Sequence, residues 1–201
     1  MQPYFQTTPF TTAASSLLAL MHHLNPEIEL TKDNEFAIWQ SSINLPTRAS
    51  SFFGLANYAR QKNFNISLVV EKTDYSFPDY RFYRYTKEDI EHAAFSHNNH
   101  FVKTKELGIP LVEKEITLQD VKEELQKDNL LLIRINAKHL RSLKRNTSNY
   151  IILTGFTAGY YHLLDPIIGG LSIPESTMQE AFSSLEEKKY RDHRMIVFQK
   201  S

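Results

Sequence analysis

The sequence predicts an α+β fold. Helical periodicity fills the first two thirds, strand patterns fill the last third, and no long linker separates them. At 201 residues the chain suits one compact domain spanning 1–201, large enough to bury a sizeable core.

The elements follow in order. Thr11 and Thr12 precede residues 13–24, where Leu17, Leu20, Met21 and Leu24 share one helical face. Residues 33–43 read as a second helix. Residues 48–62 read as a third, with Phe52, Leu55, Ala56 and Ala59 at helical spacing. Residues 66–70 are β-branched and read as a strand. Thr86 with Asp89 three positions on is a helix start, and Gly108 is its stop. Thr117 with Asp120 repeats the start, and Leu118, Val121 and Leu125 form a stripe behind it. Residues 130–135, 150–154 and 160–164 read as strands, the last two joined by a turn at 156–159. Residues 175–187 read as a helix, and 194–199 as a closing strand. Gly169-Gly170 reads as a turn. Residues 72–85 read as a loop lying over the domain. It carries Tyr75, Phe77, Tyr80, Phe82, Tyr83 and Tyr85, interleaved with Arg81 and Arg84.

Composition excludes several chemistries. Lys+Arg 23 balances Asp+Glu 23, so nothing argues for a nucleic-acid partner. The chain has no cysteine, hence no thiol nucleophile, no disulfide and no thiolate metal ligand. The first ten residues lack the basic start and apolar run of a signal peptide. The apolar runs 130–133 and 151–153 are too short to span a membrane. These features predict a cytoplasmic protein, with signal-independent export as the other route, no membrane partner and no cofactor.

The histidines do not group as a metal site. His22 and His23 are adjacent, so on a helix they point about 100° apart. His92, His97 and His100 are unevenly spaced and read as surface or helix-end residues, and no metal is predicted. The run 138–145 is basic and reads either as a solvated loop or as a rim that attracts an acidic peptide. There is no phosphate-binding glycine pattern.

Two blocks carry a family resemblance. The run Tyr4-Phe-Gln6-Thr-Thr-Pro-Phe-Thr-Thr12-Ala-Ala resembles the opening of the C39-like peptidases, Q-T-T-x-[YF]-T-C-G-P-A. Residues 149–156 and 160–166 resemble that family's histidine strand and the aspartate-proline strand after it. Residues 34–39, 60–70, 173–174 and 191–198 are similar to the standalone bacterial subfamily. The resemblance implies a papain-like fold, with N-terminal helices packed on an antiparallel sheet.

By that resemblance Gln6 matches the oxyanion-supporting glutamine and Asp165 the aspartate that orients the histidine. The nucleophile position falls on Thr12, or on Ala13 if the register slips by one. The histidine position falls on Asn149. The cleft is expected to be bordered by Ala13, Arg141, Lys144, Arg145 and Ser148.

A thiolate attacks because a helix N-terminus and a neighbouring imidazolium lower its pKa. A threonine hydroxyl needs a general base within reach, and an asparagine amide cannot accept a proton. Losing triad members costs roughly 10⁴–10⁶ in turnover in related hydrolases. His162 lies an odd number of residues from Asp165, on the opposite strand face. The expectation is therefore a catalytically inactive peptidase relative that binds a peptide or protein in the former active-site cleft. The alternative is a hydrolase, amidase or bacterial effector enzyme with Thr12 as its nucleophile.

Overall fold

The structure is a computed structural model that describes residues 1–74 and 85–199. Three helices lead. Helix α1 (Thr12–Leu24) is rich in Ala and Leu, good helix formers. Its first ten residues, Thr12 to Met21, are all buried. A helix apolar on every side is one enclosed on every side. Here α2 (Lys32–Ser42), α3 (Phe52–Gln61) and the sheet enclose it.

Helix α3 starts four residues later than the spacing predicts. Residues β1 (Ile43–Asn44) and β2 (Ala49–Ser50) pair antiparallel, and Arg48 between them adopts φ 59°. That left-handed backbone cannot belong to a helix. Ser51 then caps α3 by accepting from the Gly54 amide. Gly54 permits the crossing with α2: a Cβ there would lie 2.7 Å from Ser42 Cα.

The sheet has seven strands in the order β4-β3-β9-β5-β6-β7-β8. These are β3 (Ile66–Val70), β4 (Leu111–Glu113), β5 (Leu130–Asn136), β6 (Ser148–Thr157), β7 (Tyr160–Asp165), β8 (Gly169–Pro174) and β9 (Arg194–Phe198). The sheet is antiparallel-rich, as expected: the pair β3–β4 is parallel and the other pairs are antiparallel. The chain's last strand inserts between β3 and β5, so early and late parts of the chain share one sheet.

Strand periodicity assigns the faces. Leu130 and Leu132 pack toward α1–α3, while Leu131, Ile133 and Ile135 pack toward α5 (Leu118–Gln126) and α7 (Glu175–Lys189). Helices thus cover both faces, which explains the near-continuous apolar run of β5. Capping boxes start both α4 (Lys87–Glu106), at Thr86 and Asp89, and α5, at Thr117 and Asp120. Ala158 and Gly159, at φ 52° and 82°, close the β6–β7 hairpin.

Two further expectations are corrected. Gly169-Gly170 is not the turn. The Asp165 carboxylate takes the Ile167 and Ile168 amides, the turn closes there, and Gly169 opens β8. His97 and His100 are not surface histidines. His97 is buried with Nε2 on the Thr73 carbonyl at 3.0 Å, and His100 Nε2 faces the Ile43 carbonyl at 3.2 Å. Most of the aromatic loop expected at 72–85 lies outside the described residues. Tyr85 is described, and its hydroxyl donates to the Thr47 carbonyl at 3.0 Å.

Candidate functional site

The start of α1, the β1–β2 turn and the start of β6 surround a cavity of about 600 Å³. Thr12, Ala13, Ser148 and Asn149 all line it. Four of the residues singled out in the sequence therefore meet, although 135 positions separate Thr12 from Ser148. The junction is tight: Ser16 Oγ donates to the Tyr150 carbonyl at 3.0 Å inside the core.

The segment before α1 is held by one buried carboxylate. Glu35 of α2 is fully buried. It accepts from Tyr4 Oη at 3.0 Å, Thr7 N at 3.0 Å, Thr7 Oγ1 at 2.7 Å and Ser15 Oγ at 2.7 Å. Burial alone would raise its pKa. Hydrogen bonds from Thr11, Thr7 and Ser15 outweigh burial and hold it below its ordinary value. Gln6 lies inside the anchored segment, its amide donating to the Pro166 carbonyl at 2.9 Å. Gln6 Oε1 is buried and has no hydrogen-bond partner among the described residues.

Thr12 occupies the first position of α1. Its hydroxyl makes no hydrogen bond among the described residues. The amides of Thr12 and Ala13 have no backbone acceptor, as expected of a helix's first turn. Their partial positive charge faces the cavity.

Asp165 is fully buried at the end of β7, and both its oxygens are engaged. Oδ1 accepts from the Ile167 and Ile168 amides at 2.8 and 3.2 Å, and Oδ2 accepts from Arg141 Nε at 2.9 Å. The guanidinium also reaches Asn149. With the amide oriented so that its oxygen faces the donors, Asn149 accepts from Arg141 Nη1 at 2.6 Å and donates to the Ser148 carbonyl at 3.1 Å. Arg141 Nη2 is buried without a partner among the described residues.

Arg141 was expected on an anion-attracting rim. Its side chain is instead only 4% exposed, turned inward between Asp165 and Asn149. The reason is local. Residues Lys138–Arg141 form a short helix, α6, rather than a solvated loop, and Asn136 clamps both ends of the segment. Its Oδ1 accepts from the Lys138 and Thr147 amides at 3.3 and 3.0 Å, and its Nδ2 donates to Asn146 and Ser184 at 2.9 Å. Lys144 and Arg145 stand exposed on the following loop, outside the cavity lining.

The cavity is basic for a reason the sequence reading missed. Among the described residues its lining includes Arg48, Arg134, Lys189, Arg191 and Arg194, against one carboxylate, Asp192. Arg134 shares a strand face with Leu130 and Leu132, which turns it toward α1. Asp192 bridges two of these cations, meeting Arg134 Nη2 at 2.5 Å and Arg194 Nε at 2.6 Å. Burial would raise its carboxyl, but Arg134 and Arg194 hold it below its ordinary value. A lone arginine inside an apolar strand was the available signal for Arg134.

Of the imidazoles, His97 lines this cavity. Burial pulls its pKa down to about 4. His162 faces Ser172 Oγ at 2.8 Å, away from Thr12, as the strand parity predicts. No three His, Asp or Glu side chains gather as a metal-binding group among the described residues. No described helix is long and apolar enough to cross a membrane.

The profile of the Peptidase_C39 like family matches residues 1–198. The chain belongs to that family. No curated protein matches it. Among solved structures it is similar to a double glycine motif protease from an AMS/PCAT transporter, determined in complex with the leader peptide. The two share 12% identity over 100% of this chain and 91% of that one, with a TM-score of 0.52. It is also similar to the Pseudomonas avirulence protein AvrPphB, at 12% identity over 94% and 89% of the two chains and a TM-score of 0.33. The fold is α+β and papain-like, as the Peptidase_C39 like membership implies.

Proposed function

We propose that this member of the Peptidase_C39 like family binds a peptide or protein segment in the cavity at the start of α1 and does not cleave it. One observation carries the reading. Arg141 fills the space between Asp165 and Asn149, so the carboxylate that would orient a base is spent on a guanidinium. A guanidinium stays protonated and cannot take a proton from a hydroxyl. Among the described residues, Thr12 therefore has a free hydroxyl and no base in contact with it. His97, with a pKa near 4, is a weak base for the task.

What is retained suits holding a chain. The first-turn amides of α1, on Thr12 and Ala13 in the cavity lining, can donate to a carbonyl or carboxylate. The solved relative with a leader peptide makes a peptide the natural occupant of the matching cleft.

The test pairs two measurements. Incubation with a broad peptide library, read by mass spectrometry, should give no cleavage above a heat-treated control. Capture of a partner from a library displayed on phage should be abolished by Ser148→Trp, a half-buried position in the cavity lining, in a variant that still melts cooperatively. Cleavage that disappears in Thr12→Ala would instead establish the threonine-nucleophile enzyme.

A further inference from the structure

We propose that the occupant of this cavity carries a carboxylate and that Arg48 is the residue that grips it. The inference rests on the peptide-binding reading above and adds the chemistry of the ligand.

Charge balance is the first support. Setting Lys189 and Arg191 aside, three guanidiniums line the cavity: Arg48, Arg134 and Arg194. Asp192 is the one carboxylate among the described lining residues, and it is bound to Arg134 and Arg194 at once. Cations brought together in a recess of reduced dielectric repel one another, and an anion in the recess removes that cost.

The state of Arg48 is the second support. It forms no ion pair among the described residues and is exposed to solvent. Its backbone is left-handed at φ 59°, a conformation disfavoured for a residue with a Cβ. Trp39 holds it there, with Nε1 donating to the Arg48 carbonyl at 3.1 Å. The guanidinium carbon lies 5.9 Å from the centre of the Phe10 ring. Stacking on a ring uses the face of a guanidinium and leaves its N–H edge for two parallel bonds to a carboxylate. Strain kept at a cavity mouth, with the side chain unspent, fits a residue placed for contact.

The neighbouring Asn44 is the third. It is 3% exposed and lines the same cavity, and its Oδ1 has no partner among the described residues. A half-turn of the amide presents either a donor or an acceptor to a peptide backbone beside the carboxylate. Phe10, Phe52 and Tyr150 add ring surface to the lining. That mixture suits a peptide better than a bare inorganic anion.

The experiment measures fluorescence anisotropy with labelled hexapeptide pools. One pool has a free C-terminus and no Asp or Glu. A second is C-terminally amidated with one fixed Asp. A third is amidated with Asn at that place. Wild type should bind a carboxylate pool more tightly than the third, and the tighter of the first two identifies the source of the carboxylate. Arg48→Gln should weaken carboxylate pools about ten- to a hundredfold and leave the third unchanged. Arg48→Lys should recover part of the loss. Arg48→Gln should melt like wild type, since the side chain is exposed. If all pools bind equally and Arg48→Gln changes nothing, the carboxylate inference fails while peptide binding stands. If no pool binds, both fail. If inorganic phosphate displaces bound peptide at lower concentration than acetate does, the site prefers phosphate and the carboxylate assignment is overturned.

Discussion

Two buried carboxylates, Glu35 and Asp165, flank the same helix start, and they are satisfied in opposite ways. Glu35 is met by hydroxyls and an amide of residues 4–15, with no cation in contact among the described residues. Asp165 is met by the cation Arg141 and two amides of its own turn. The first arrangement fixes the segment that carries Gln6 and delivers Thr12 to the cavity. The second ends at a guanidinium, where proton transfer stops. One cluster therefore fixes the segment before α1, while the other ties the end of β7 to α6.

The largest expected effect comes from breaking the first cluster. Glu35→Ala orphans donors on Tyr4, Thr7 and Ser15 and should cost about 4–6 kcal/mol in urea unfolding, or prevent folding. A loss below about 1 kcal/mol would show that the N-terminal segment is held by something else. Next comes Arg141→Met, which strands the Asp165 charge in the core at a cost of about 3–4 kcal/mol. Adding Asp165→Asn removes that charge, so the double variant should recover at least about 1 kcal/mol relative to the sum of the singles. Strict additivity would mean that the contact carries no coupling.

The comparison also shows where the sequence was readable. Helix α1, the two capping boxes, the β6–β7 hairpin and the convergence of Thr12 with Asn149 were legible, because each is written in local spacing or a contiguous motif. Glu35 was not. It shares a buried stripe with Ile38 and Ser42 at helical spacing, but a glutamate there reads as solvated until its donors, up to 31 residues away, are known. Arg141 was misplaced for a similar reason: a basic run looks like a surface, and the inward turn depends on Asn136 and on Asp165 across the sheet. Arg48 was assigned to a helix, since no local signal marks its left-handed backbone. The basic cavity arises from Arg134 and Arg194, brought side by side by the β5–β9 pairing, and from Arg48 on the β1–β2 turn.

Acidity should separate the two clusters without mutating the second. The folded Glu35 carboxyl titrates below its unfolded value, so its contribution to stability is fully present above the unfolded pKa of roughly 4.3. It is lost as pH falls through the folded value. Glu35→Gln mimics the protonated form. The stability gap between wild type and Glu35→Gln should therefore be widest at pH 6 and shrink toward pH 3. A constant gap would mean that the hydroxyl donors serve a neutral side chain equally well.

The smallest effect tests whether Arg141 withholds the Asp165 carboxylate from position 149. Thr12→Cys places a thiol at the α1 N-terminus, where the helix start should lower its pKa modestly from roughly 8.5. Adding Asn149→His brings an imidazole to the same cavity. Arg141 still occupies Asp165, and its charge disfavours an imidazolium at 149. The rate of iodoacetamide alkylation against pH should thus be nearly the same in the single and double variants. Replacing Arg141 by Ala as well frees the carboxylate for the imidazole, and the alkylation midpoint should then fall by about one unit or more. If the double variant alone produces that fall, Arg141 is no obstacle to an imidazole at 149 acting on the thiol.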